Sequence, residues 1–142
     1  MERKNWKGLL LPAALVGLTL LGCGSKPLEG PPTVPVNGKV VFTKNGSLEP
    51  IVDRQGAIEF ESVEQPGVKA VGDIQPDGSF TVSTLVQGGS KPGAVTGQHR
   101  VRLLLDDRAQ QFVAPQFLRF DKSGIAVTVA EPQSDVQIQI WR

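Results

Sequence analysis

The sequence predicts an all-β domain, a β-sandwich of seven short strands over residues 35–142. Three observations carry that reading. Apolar and polar residues alternate at period two in one segment after another. Turn-forming residues separate the segments, in a chain of 142 residues with 16 Gly and 11 Pro. Beyond position 23, no ten-residue stretch repeats its apolar residues at helical spacing.

The first strand follows Pro35, where Val36, Gly38, Val40 and Phe42 alternate with Asn37, Lys39 and Thr43. Asn45-Gly46 is a turn signal. Ile58 and Phe60, set between Glu59 and Glu61, mark a second strand; Val68, Ala70, Gly72 and Ile74 mark a third. Pro76-Asp77-Gly78 is a tight turn into a fourth strand over 79–83, with Phe80 and Val82 inward. Residues 98–105 form a fifth, with Val101, Leu103 and Leu105 on one face and Arg100 and Arg102 on the other. Ile125, Val127 and Val129 mark a sixth strand, and Val136, Ile138 and Ile140 a seventh. The alternation predicts a core of Val40, Phe42, Phe60, Phe80, Val82, Val101, Leu103, Val127, Ile138 and Ile140.

Residues 1–22 read as a signal peptide, helical only as a precursor feature. Arg3, Lys4 and Lys7 form a positive start, and Leu9 to Leu21 is an uncharged apolar run. The run is shorter than the ~20 residues that span a bilayer and matches the apolar region of an export signal. It ends in Leu20-Leu21-Gly22-Cys23. That ending resembles the lipobox of bacterial lipoproteins, which implies cleavage between Gly22 and Cys23 and acylation of Cys23. Its thiolate is the strongest nucleophile among side chains of this chain. Two or more acyl chains on Cys23 give stable anchoring to a lipid bilayer. Gly24 and Ser25 follow, with no Asp to retain the protein at an inner membrane, and the choice of membrane stays open. Residues 23–34, with Pro27, Pro31 and Pro32 before Pro35, read as a disordered, Pro-rich tether.

Composition limits what the domain does. There are 15 basic and 14 acidic side chains, so no basic excess points to nucleic acid. One cysteine excludes an internal disulfide. His99 is the only histidine, and alternation turns it inward with Val101 and Leu103, where a packed ring is the simplest reading. Asp73 and Asp77 lack the alternate oxygens and the twelfth-position Glu of a calcium loop, because Gln75 and Thr84 stand there. Asp77-Gly78 reads instead as a hairpin turn. Glu59, Glu61 and Glu64 read as an exposed face that protects a sheet edge, and Arg100 and Arg102 as a solvated stripe. Asp106, Asp107 and Arg108 read as a solvated loop. Neither a nucleophile elbow nor a phosphate loop occurs. No catalytic, cofactor-binding or metal-ligating residue is assigned.

A series of short motifs carries a resemblance. Pro35-Val36-Asn37-Gly38-Lys39-Val40 comes first, then Asp77-Gly78-Ser79-Phe80, Pro92-Gly93, and Gly97-Gln98-His99-Arg100-Val101. Pro115-Gln116-Phe117 and Ser123-Gly124-Ile125 close it. In order and spacing the series is similar to the carboxypeptidase regulatory-like (transthyretin-like) domain, over about residues 35–141. The resemblance implies a seven-stranded Greek-key sandwich that serves as a non-catalytic module. It departs from the family at Ser47 to Val52 and at His99, where an aromatic is usual.

The expected function is therefore a membrane-anchored lipoprotein of the cell envelope, facing the periplasm or the cell surface. It would be a structural module or bind an envelope protein or glycan. Two alternatives stand beside it. One is a carrier or sensor of a small ligand near His99, Phe117 and Trp141. The other is a transthyretin-like hydrolase, a class that uses several histidines where this chain has one.

Overall fold

Strands with one apolar face must bury it, and two sheets packed face to face meet that requirement. The structure, a computed structural model, describes residues 26–44 and 46–142. The signal peptide, the Gly22–Cys23 cleavage point with its acceptor cysteine, and Asn45 lie outside the described residues. The described part is an all-β sandwich. Its strands are β1 (Val36–Phe42), β2 (Ala57–Ser62), β3 (Lys69–Asp73), β4 (Ser79–Thr81), β5 (Ser83–Val86), β6 (Gly89–Pro92), β7 (Gly97–Leu104), β8 (Ala126–Val129) and β9 (Gln133–Ile140). One sheet has three strands in the order β4-β1-β9, the other six in the order β6-β5-β3-β2-β7-β8. The large sheet is antiparallel throughout. In the small sheet β1 runs antiparallel to β4 and parallel to β9.

The described residues thus form nine strands rather than the seven expected, for two reasons. The fourth expected strand divides at Val82, whose N–H donates to the Val36 carbonyl of the small sheet and whose carbonyl accepts from Gly93 N–H beside the large one. The chain passes from one sheet to the other there. Phe80, Val82 and Thr84 stay buried through the crossing, so the alternation carries no mark of it. The other addition, β6, reads Gly-Ser-Lys-Pro and has no apolar residue to signal a strand. A short helix α1 (Glu49–Val52) occupies the stretch before β2 and buries Ile51.

Phe60 of β2 and Phe80 of β4 meet across the sandwich with ring centroids 6.0 Å apart. Val40, Val101, Leu103, Ile138 and Ile140 surround them. Of the expected core, Phe42 and Val127 are only half-buried, at the margin of the packing.

The expected disordered tether is corrected over its second half. The large sheet outreaches the small one at β5–β6, and residues 28–34 cover the overhang as a docked arm. Val34 and Ala94 exchange backbone hydrogen bonds of 2.9 and 3.0 Å. Thr33 Oγ1 donates to the Pro92 carbonyl at 2.7 Å. Lys91 Nζ donates to the carbonyls of Pro31 (2.8 Å) and Gly30 (3.3 Å). Gly30 lies close against Val86, and the Leu28 side chain beside Gly89. Gly93 sits at φ +92°, and a Cβ there would collide with the Val34 backbone. Prolines explain why a segment with a spacer's composition docks: they restrict the unfolded chain, so little entropy is lost on ordering it.

Candidate functional site

The titratable residues weighed as candidates in the sequence fall into three separate places. The first is the outer face of β2. Alternation points Glu59 and Glu61 away from the core, beside Arg100 and Arg102 of β7 and Lys69 of β3. Arg102 Nε donates to Glu59 Oε2 at 2.6 Å, and Arg100 Nη2 to Glu61 Oε1 at 2.6 Å. Lys69 Nζ lies 3.7 Å from Glu59 Oε1 and 3.9 Å from Glu61 Oε2. Phe120, from the segment after β7, folds over this network. Its ring centroid is 4.6 Å from the Arg102 guanidinium carbon and 5.5 Å from Lys69 Nζ.

Two expectations are corrected here. β2 is an interior strand of the large sheet, so its glutamates protect no edge. Glu59 is only 5% exposed, and Arg102 pairs with it rather than standing in water. Two carboxylates answered by three cations form a closed network. Removing one partner of a buried pair strands the other.

The second place is His99, on β7 opposite Ser62 of β2 and Val127 of β8. Its side chain is buried, with the ring edge-on to Phe60 at 6.1 Å between centroids. Nδ1 lies 3.2 Å from the Gly97 carbonyl oxygen. Burial pushes the imidazole pKa below its usual value; the Gly97 carbonyl and the Glu64 carboxylate oppose that shift more weakly. The ring thus packs into the core against Phe60. The expected small-ligand site joined His99 with Phe117 and Trp141. Phe117 and Trp141 pack edge-to-face at 4.6 Å and border a groove of about 310 Å³, with Gln137 and Gln139. His99 is not part of that groove.

The third place is the Asp77 turn. Asp77 Oδ1 accepts from Ser79 Oγ (2.6 Å) and from Ser79 N–H (2.9 Å). The Ser79 hydroxyl and amide hold its carboxyl below the ordinary carboxylate range. Gly78 takes φ +86°, as the turn demands. The carboxylate is thus spent on shaping the hairpin. Asp106 Oδ1 similarly caps the Ala109 N–H, and Arg54 lies 3.6 Å from its other oxygen.

Between the outer edges of the two sheets runs an open groove of about 600 Å³, bordered by Ala126 to Thr128 of β8 and Glu131 to Gln137 leading into β9. Sequence reasoning missed it, because it depends on which strands end up as edges, and missed Phe120 over the ion pairs, because that depends on the path of the segment after β7. Among the described residues, no three His, Cys, Asp or Glu side chains gather as a metal site, and no helix is long and apolar enough to cross a membrane. No protein-family model, curated protein or solved structure matches the chain.

Proposed function

We propose that this chain is an exported lipoprotein, held to a bilayer through acylated Cys23, whose β-sandwich is a non-catalytic structural or binding module of the cell envelope. The observation that carries the proposal is the order Arg3-Lys4, apolar run, Leu20-Leu21-Gly22-Cys23. The state of the polar candidate groups agrees with a binding role. Glu59, Glu61 and Asp77 are engaged in structure, and His99 is packed against Phe60. The groove between β8 and β9 offers two strand edges to a protein or glycan partner. An extended peptide adds to such an edge through main-chain hydrogen bonds.

A carboxypeptidase regulatory-like, Greek-key topology is part of the proposal. Its support is the parallel pairing of first and last strands and the passage of one strand between sheets at Val82. The motif glycines also do specific work, Gly78 in a turn and Gly93 beneath the arm.

Metabolic labelling with a palmitate analogue tests the anchor. The wild type takes the label, and Cys23→Ala takes none and accumulates as uncleaved precursor. Label persisting on the alanine variant contradicts the proposal.

A further inference from the structure

We propose that the docked arm fixes how the sandwich sits on its membrane: the end carrying the β5–β6 turn rests on the lipid headgroups, and the end carrying Asp107 faces away. The inference rests on the anchored-lipoprotein reading and adds an orientation and a contact surface to it.

The arm's contacts fall in order along β6. Leu28 lies by Gly89 at the turn, Gly30 and Pro31 are held by Lys91, Thr33 by Pro92, and Val34 by Ala94. The chain therefore meets the domain at the tip of the β5–β6 hairpin. Four residues lie between Cys23 and Leu28, and the five Cα-to-Cα steps across them reach at most about 18 Å. A freely moving tether from 23 to 34 would leave the domain free to tumble. With the arm docked, the hairpin tip stays within that distance of the anchor.

The surface at this end suits a bilayer. Strand registers bring the β5–β6 turn, the β2–β3 turn and the β8–β9 turn to the same end of the sandwich. The three large apolar side chains that stand exposed among the described residues all lie there: Leu28 (41%), Val63 (43%) and Leu85 (55%). The tip itself, Gln87-Gly88, is uncharged and small. Lys26 and Lys91 are matched by Glu29, Glu64 and Glu131, so no cationic patch dominates. The contact is therefore apolar insertion at the headgroup boundary. It persists at high salt, where attraction between exposed charges is screened.

The test uses the full acylated chain in phosphatidylcholine–phosphatidylglycerol vesicles. An environment-sensitive fluorophore is attached at Gln87→Cys in one sample and at Asp107→Cys in another, the native cysteine being blocked by its lipid. Quenching by doxyl-labelled lipid is expected to be several-fold stronger at position 87 than at 107, with little change in 0.5 M salt (~4 Å screening length). Lys91→Ala, which removes the bonds to Gly30 and Pro31, is expected to narrow that difference. Equal quenching at the two positions overturns the orientation, as does a difference that Lys91→Ala leaves intact. Protection at 87 from both lipid and aqueous quencher that vanishes on dilution also overturns it, by showing a second copy on this surface. Intact mass of the same samples separates the two readings. Acylated protein with equal quenching removes the orientation alone, and unacylated Cys23 removes both.

Discussion

The two faces of β2 are almost equally buried and nearly opposite in chemistry. Ile58 and Phe60 face the sandwich interior with 0% exposure, and Glu59, between them, keeps only 5%. The inner face is closed by the small sheet, through Phe80. The outer face is closed by its own ion pairs and by Phe120 above them. Alternation in the sequence reports polarity. It does not report exposure, because a charged face becomes buried once its neighbours supply counter-charges and a later segment folds across it.

The largest expected effect is on the inner face. Phe80→Ala should destabilise by ~3–5 kcal/mol, the range for emptying a buried aromatic site. Urea unfolding followed by tryptophan fluorescence measures it. A loss below about 1 kcal/mol would mean that the two sheets do not meet where the register places them.

The outer face should give a smaller but unmistakable loss. Glu59→Ala leaves the Arg102 guanidinium without its closest acceptor, at a cost of roughly 2–3 kcal/mol, just under the range for fully buried pairs because Arg102 keeps 29% of its side chain exposed. The double change Glu59→Met with Arg102→Met should recover most of that, since apolar pairs replace buried ion pairs at little cost. A double variant no more stable than the single one would show that the charges are needed for more than mutual neutralisation.

These contrasts mark what was legible in the sequence. The strands around Val40, Phe60, Phe80, Val101 and Ile138 were readable because each repeats an apolar residue every second position. The turn at Asp77-Gly78 was readable because its backbone requires glycine. The passage between sheets at Val82 was not, since the inward parity of Phe80, Val82 and Thr84 is the same on both sides of it. Lys91 gave no hint of its role, because its partners are the carbonyls of Gly30 and Pro31, some sixty positions away. At the candidate site the outcome is similar. The inward packing of His99 followed from alternation. Phe120 over the ion pairs and the groove between β8 and β9 depended on loop paths and strand order that local pattern does not encode.

The arm extends the comparison to the sheet's flanks, one covered by residues 28–34 and the other open between β8 and β9. Gly93→Ala puts a side chain at positive φ and against Val34. It should cost about 1–2 kcal/mol through backbone strain and raise amide hydrogen exchange at Val34 and Ala94. Exchange rates equal to wild type at both amides would show that the arm does not rely on this close approach.

The smallest effect is the pH dependence of the inner face. His99 has a folded-state pKa below its unfolded value, so the unfolded chain takes up the proton first. Stability is therefore full above about pH 6.5, the unfolded reference. It falls as pH drops from there towards the lowered folded value. His99→Tyr should fold with an unchanged or higher Tm at pH 7 and should lose the part of the Tm decline between pH ~7 and ~5.5 that His99 causes, histidine being the side chain that normally titrates there. A Tyr variant with the same decline would assign it to another group.

The central claim, that the sandwich is carried on a lipidated cysteine, is tested most directly by the intact mass of the chain extracted from membranes. The account predicts a polypeptide beginning at Cys23, heavier than residues 23–142 alone by a diacylglyceryl group, with or without a further acyl chain. A mass equal to the unmodified chain from Met1, or to a form cut at another bond and carrying no lipid, would contradict it.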